Sequence, residues 1–435
     1  MKIGFGRVDI TPPLGTPVTG GWNGRVAEGI WDPLELNAVV LESGGERIAV
    51  VAADLHYMHC VHATEIRERI ARETKIPAEN ILLHCLHQHT STTGGIVDVV
   101  GSDYNALLKR RYIDVVRLAI ADLAEARMFA AEQETSEEVS FIRRYRMKDG
   151  SVMTNPGTRN PNIDHPLGRS DNTARLVRFS REGKGDIAIV GFQTHPDTMG
   201  GVKFTADWPG FVRRIVEAKK EGVRCICING CQGDTNHFKP GRRVVPKEDP
   251  DGRYEFTRRM GEIIADAALS VWDTALPLKE GAVSGAFEIQ SIPTKIEGIE
   301  RIEECKILQR KLVEDDPEVR DLPLAEKGDI RRIANLEDKT VFQRVPVSIG
   351  AVGEFALIGF GGEPFTEYDR ILRRANSKLF LLTACNCNGS EGYLPSAAAF
   401  EEGGYEVLTT SFTPETPARL LGLASRLLDE HCAKL

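Results

Sequence analysis

Short, nearly uninterrupted apolar runs alternate along this chain with stretches whose apolar residues return at helical spacing. RIAVVAADL at 47–55 and NILLHCL at 80–86 read as buried strands, and 63–74 between them carries the spacing of a helix. Strand, helix, strand is a β-α-β unit, whose crossover favours a partly parallel sheet. The pattern returns with different lengths: strand 186–194, helix 209–220 with proline near its first turn, strand 224–229. It returns again as strand 354–360, helix 365–375 and strand 378–383. Further helices are expected at 107–130, 254–272 and 416–428. No internal repeat and no low-complexity segment is visible in the residues themselves.

Two regions break the rhythm. Residues 143–175, rich in Asn, Pro, Gly and Arg, read as a long irregular loop of the kind that often carries function. Residues 294–340 are highly charged and helix-prone, and read as a solvated helical hairpin laid on the surface rather than a lid. No flexible linker interrupts the chain. The expected fold is one large α/β domain over 1–435, with mixed β-sheets flanked by helices.

Of the 435 residues, 41% are hydrophobic, enough to bury a large core. The net charge of -8 argues against a nucleic-acid partner. The run Arg143-Arg144-Tyr145-Arg146 is too short to change that and reads as a solvated strand. The opening MKIGFGRVDITPP has no apolar core of a signal peptide, and no stretch is apolar enough for an integral membrane segment. Nine cysteines without a repeated spacing suit a reducing compartment, so a cytoplasmic location is expected. Cys225 and Cys227 read as buried thiols, and Cys385 and Cys387 form a lone C-x-C pair that is not expected to hold a metal.

Four clusters carry candidate chemistry, each just past the end of an apolar strand. The first is His84-Cys85-Leu86-His87-Gln88-His89, where strand alternation would send His84 one way and His87 and His89 the other. The second is His195, which taken alone reads as a structural histidine. The third is Glu363 in GGEPF, equally readable as a first-turn glutamate favoured by the helix dipole. The fourth is Gly230-Cys231-Gln232-Gly233-Asp234-Thr235-Asn236-His237, a turn able to present backbone N–H groups or merely to stabilise itself. Strand ends of an α/β sheet can converge on one crevice. Two histidines and one carboxylate with an open position make a sensible catalytic zinc site, and two histidines favour a transition metal over magnesium. Sequence spacing alone does not establish the convergence.

Several stretches, taken in order, resemble the neutral, non-lysosomal ceramidase family: GFGRVDITPPLGTPVTGGW at the start, VAADL at 51–55, LHQHTSTTGG at 86–95, FQTHPDTMGG at 192–201, FTADWPG at 204–210, GGEPF at 361–365 and GYLPSAAAFEEGGYE at 392–406. The resemblance implies the fold of that family's catalytic domain and a zinc ion held by His87, His195, Glu363 and Tyr393. It implies that His89 serves proton transfer. The family's serine turn is not matched: Asn236 stands where that serine would be, Thr235 is out of register, and a serine nucleophile is not expected. The chain also has no room for the family's C-terminal immunoglobulin-like domain.

These readings combine into a zinc-dependent hydrolase that cleaves an amide through an activated water, on a small-molecule substrate other than ceramide. His89 is the expected general acid or base, Tyr393 a metal ligand or oxyanion donor, and Asp234 and Asn236 orienting groups. Asp207 is expected to fix a ligand histidine. An esterase, lactonase or deacetylase acting on a polar or sugar-like substrate is the alternative, and a metal-dependent lyase, isomerase or binding protein the third reading. A homo-oligomer is compatible with all of them.

Overall fold

A computed structural model describes residues 1–95, 99–242, 245–246, 248–336 and 342–435, without the side chains of 99–102. Eight strands build most of a nine-stranded sheet: β1 (Lys2–Asp9), β2 (Glu35–Ser43), β3 (Glu46–Ala53), β4 (Ile81–Cys85), β5 (Ala124–Glu134), β6 (Thr173–Arg181), β7 (Ile187–Phe192) and β8 (Arg224–Asn229). They lie in the order β8-β7-β6-β5-β1-β2-β3-β4, with Leu276–Pro277 added against β5. A four-stranded sheet follows in chain order: β9 (Val283–Pro293), β10 (Phe342–Val352), β11 (Phe355–Phe360) and β12 (Phe380–Ala384).

The uninterrupted apolar runs are strands covered on both faces. In β3, Ile48, Val50 and Ala52 enter the core that the two sheets share. Ala49, Val51 and Ala53 enter the opposite core, under helices α1 (Cys60–Thr74) and α2 (Val99–Ala121). In β11, Phe355 and Leu357 join the shared core, while Ala356, Ile358 and Phe360 face the C-terminal helix Thr416–Cys432 and its neighbours.

The pairing shows an internal threefold repeat that the residues alone conceal. β1–β4, β5–β8 and β9–β12 each make two antiparallel pairings and then one parallel pairing across a helix. The crossover helices are α1, Asp207–Lys219 and Thr366–Ala375. The register also repeats: Ala49 pairs with Ile81, Ala188 with Cys225 and Ala356 with Leu381. What survives in sequence is one short run per repeat, IAVV, IAIV and FALI, too generic to signal a repeat by itself.

The three final strands meet at their ends. His84 sits fully buried at the junction. Its Nδ1 donates to the Cys385 carbonyl at 2.6 Å, and its Nε2 accepts from Asn229 N–H at 3.0 Å. Cys385 N–H donates to Asn229 O at 3.0 Å, and Cys85 N–H to Asn386 O at 3.1 Å.

Two expectations are corrected. The helix expected at 107–130 ends at Ala121, and Ala124–Glu134 is strand β5. Its alanines and glutamates favour helix in isolation, but pairing with β1 and β6 overrides that preference. The loop expected at 143–175 contains a small sheet of Arg144–Met147, Val152–Thr154 and Ile163–Pro166, and runs into β6. The charged insertion holds helices Ile302–Val313 and Leu324–Ala334 around their own apolar cluster, and its residues 337–340 lie outside the described residues. Among the described residues no helix is long and apolar enough to cross a membrane.

Replacing His84 by Ala leaves a buried N–H and a buried carbonyl unpaired, and is expected to cost about 3 kcal/mol in chemical denaturation at pH 7.5. Burial lowers the His84 imidazole to about 4, whereas an unfolded histidine titrates near about 6.5. Its contribution is therefore complete above that value and is lost as pH falls towards the folded one. The penalty of His84→Ala should accordingly be smaller at pH 5 than at pH 7.5.

Candidate metal centre

The repeat places chemistry at equivalent positions. His56, His195 and Glu363 each stand seven residues beyond an alanine of the third strand of their repeat, Ala49, Ala188 and Ala356. Past the fourth strands come His87, Gln232 and Asn386. The extended strand stops at Cys85, so alternation is not what separates His84 from His87. The chain instead turns at His87, whose φ of 78° is left-handed. That conformation costs a non-glycine residue on the order of 1 kcal/mol and persists only where the surroundings impose it.

His87, His195 and Glu363 come together. Nε2 of His87 and Nε2 of His195 each lie 3.2 Å from Glu363 Oε2. The outward nitrogens are engaged: His87 Nδ1 donates to His56 O at 2.8 Å and His195 Nδ1 to Gln232 O at 3.0 Å. A carbonyl can only accept, so both Nδ1 atoms carry the proton and both Nε2 lone pairs face inward. Tetrahedral bonds of about 2.0–2.1 Å to a zinc ion would set neighbouring ligand atoms about 3.3 Å apart. The donor set and its spacing therefore fit a transition-metal ion.

Electrostatics agree with that role. Burial, and after it the nearby Arg143, hold His195 well below the usual imidazole range, so it is neutral as a ligand must be. Burial opposes ionisation of Glu363, but the adjacent His87 and His195 hold its carboxyl well below the usual range, an effect that requires positive charge, a proton or a metal ion, among the three. Close approach is built into the backbone: a Cβ on Gly233 would lie 2.3 Å from the Glu363 carbonyl oxygen.

The other expected residues are distributed around this group. His89 is 5.0 Å from His87 and 5.5 Å from His195, ring centre to ring centre. Its Nδ1 donates to Gly20 O at 3.0 Å, while Nε2 is buried without a partner. Burial first, then His87, lowers it to about 3, leaving a neutral ring with a free lone pair. Gly20, at φ 91°, presses so closely on this ring that a Cβ would fall within 2.6–2.7 Å of His89. Tyr393 pairs with Glu363 in a short parallel bridge, and its ring lies 6.5 Å from that of His195.

The Gly230–His237 turn is mostly occupied with itself. Asp234 accepts from Thr366 N–H at 2.8 Å and from the Thr366 hydroxyl at 3.0 Å, anchoring the start of a helix. Asn236 Oδ1 accepts from His237 N–H, and its Nδ2 is buried without a partner. The Thr235 hydroxyl is held by Gln232 O at 3.0 Å. Asp207 does not fix a ligand histidine. Its carboxylate takes hydrogen bonds from Thr198, Met199 and Trp208, because its left-handed backbone at the helix start turns it onto the 198–199 turn. Cys385 and Cys387 are buried free thiols held protonated by burial.

A cavity of about 630 Å³ opens beside His89. Gly20 to Asn23, Arg25, Met199 to Lys203, and Leu312, Asp315, Arg320 and Lys327 of the charged insertion contribute to its walls. The insertion is thus more than a surface addition. Gly24 N–H donates to Val313 O at 2.9 Å, and the Arg331 guanidinium lies 4.0 Å over the Trp22 ring, which tie it to the opening loop.

The architecture has close counterparts among solved structures. A neutral ceramidase from Pseudomonas aeruginosa superposes with a TM-score of 0.73 at 16% identity, over 99% of this chain and 74% of that one. A ceramidase complexed with C2 gives 0.73 at 15% identity, over 100% of this chain and 75% of that one. The chain has the neutral ceramidase fold. No protein-family model and no curated protein sequence matches it. The ceramidase fold so recognised bears out the mixed α/β domain expected from the strand-helix pattern.

Arg143 is the residue of this ceramidase-fold site that sequence reasoning passed over. It is 4% exposed, not solvated. Its Nε donates to Glu406 at 2.8 Å, its Nη1 lies 3.2 Å from His195 Nε2, and its Nη2 is buried without a partner. Burial works against its charge, but Tyr393, Glu406 and Glu363 outweigh that and hold it charged. No signal in the residues marked it, because Glu406, the 0% exposed glutamate that requires a cation, is seen to be buried only in the fold.

Purified protein is expected to hold about one metal ion per chain by elemental analysis, and His195→Ala and Glu363→Gln to hold far less. A wild type that stays metal-free after zinc addition would contradict the centre.

Proposed function

We propose that this protein is a zinc-dependent amidohydrolase that cleaves the amide of a polar N-acyl compound. The observation that carries the reading is the buried set of His87, His195 and Glu363, with both Nε2 atoms 3.2 Å from Glu363 Oε2, beside the unpartnered nitrogen of His89. Two imidazoles, a carboxylate and an open position suit catalytic zinc, which when bound would acidify water and polarise a scissile carbonyl.

The chain's own groups supply the remaining roles. His89 Nε2 is neutral and free to accept the proton of an attacking water and to return it to the departing amine. The water oxygen joins the acyl carbon, the carbon–nitrogen bond breaks, and the amine leaves with a proton. Arg143 Nη2 is a buried, unpaired donor suited to the carbonyl oxygen as that oxygen gains charge. Tyr393, beside Glu363, would complete the ligand set or donate to the same oxygen. The Thr235 hydroxyl is committed to Gln232 O, which supports water rather than a side chain as nucleophile. Asn236 Nδ2, also unpaired, is available to orient substrate.

A polar ester or lactone would be served by the same residues. The charged walls of the cavity favour a polar substrate over a long-chain lipid in either case.

A panel of short N-acyl amides, then esters, assayed with zinc-loaded protein tests this reading, and absence of turnover on the whole panel would overturn it. His89→Gln is expected to lower kcat by about 10²–10⁴-fold with metal content retained. Arg143→Gln should lower kcat by about 10²-fold, also with the metal in place. A variant that lost activity only by losing metal would not support its assigned role.

A further inference from the structure

We infer that the cavity beside His89 selects substrates that carry an anionic group, held by Arg253 and Lys203. This inference names the substrate class of the hydrolase proposed above and rests on that reading.

Overall the protein is negative, with a net charge of -8. The cavity runs against that balance. Arg25, Lys203, Arg253, Arg320 and Lys327 line it, against two carboxylates, Asp197 and Asp315. Both carboxylates are already answered. Asp315 pairs with Arg320 at 3.2 Å, and Asp197, beside the neutral His89, is offset at longer range by Arg143, Arg253 and Arg25. Arg25 is further tied to backbone, donating to Gly201 O and Thr19 O at 2.8 Å each.

Lys203, Arg253 and Lys327 remain. Among the described residues none of the three has a carboxylate within ion-pairing distance. Arg253 is held in place through its Nε, which donates to Pro246 O at 3.2 Å, so its terminal nitrogens are the part left for a ligand. The Lys203 ammonium sits 4.6 Å over the Trp31 ring, a contact that orients the charge without neutralising it. Unpaired cations in a concave wall concentrate field in the cavity and draw anions to it. The same wall shares its surface between apolar side chains, Trp22, Trp31, Met199 and Leu312, and these charges.

The chemistry recognised is a compact anion on the same molecule as the scissile bond. Both a carboxylate, as in an acylated amino acid, and a phosphate, as in a phosphorylated acylamino sugar, present it. Two matched pairs separate these sources: N-acetylglycine against N-acetylglycinamide, and N-acetylglucosamine 6-phosphate against N-acetylglucosamine. Calorimetric titration of chelator-treated, full-length protein keeps the result independent of the metal and of turnover. The anionic member of at least one pair is expected to bind about tenfold or more tightly than its neutral partner, a difference of about 1.4 kcal/mol. The pair that shows it identifies the anion. The preference should largely disappear in Arg253→Gln, and shrink in Lys203→Gln, whose exposed position spares the fold. Equal affinity within both pairs, no binding by any member, or a preference untouched by both substitutions would overturn the inference. Zinc-loaded protein that binds the anion but hydrolyses nothing would instead count against the hydrolase and leave the anion site standing.

Discussion

Everything at the candidate metal centre hangs on how three strand ends are joined. β4 and β8 are the two edges of the large sheet, and β12 is an edge of the smaller one. An open edge normally exposes a row of unpaired backbone groups. Here the sheet bends until its edges meet, and His84 spans the gap with one ring nitrogen to each neighbour. The imidazole suits this because, when neutral, it is donor and acceptor at once. A lysine or an arginine could only donate. His87 and Glu363 issue from different sheets, so their 3.2 Å separation is only as constant as this junction.

The cost of the centre is charge burial. Glu363, Glu406 and Arg143 all lie within a dry interior, and each alone would be strongly unfavourable there. The arrangement offsets one pair directly, Glu406 against Arg143, whereas Glu363 faces the inward lone pairs of two histidines and needs a cation between them. A divalent ion among those three ligands would complete that compensation. The donors left over, Arg143 Nη2 and Asn236 Nδ2, are where the compensation stops.

How much of this was legible in sequence depends on the kind of signal. Runs such as 47–55 and 186–194 announced strands because both faces of those strands are covered and no polar position interrupts them. β5 was not legible, since AEARMFAAEQE favours helix until its neighbours in the sheet are known. The threefold repeat was hidden for a related reason: a buried strand demands only apolar character, so three strands of the same register need share no more than one alanine each. The metal-centre histidines and glutamate stood out as polar residues directly after apolar runs, and the resemblance to ceramidases tied them together. Arg143 did not stand out, because an arginine in a basic run looks solvated until its buried partner, 263 residues away, is placed beside it. Asp207 failed in the opposite way, being near a ligand histidine in sequence yet aimed at a different turn.

The floor and the roof of the cavity have separate origins in the chain. The floor comes from loops of the first two repeats, with His89 and Asp197 among its residues. Part of the roof comes from the charged helical insertion, which packs around its own small apolar cluster and reaches the rest mainly through Trp22 and Gly24. Side chains such as Lys327 and Arg320 can therefore vary without unsettling His87, His195 and Glu363. A fold divided in this way lets the buried His/His/Glu group stay fixed while the chemistry of the cavity mouth drifts.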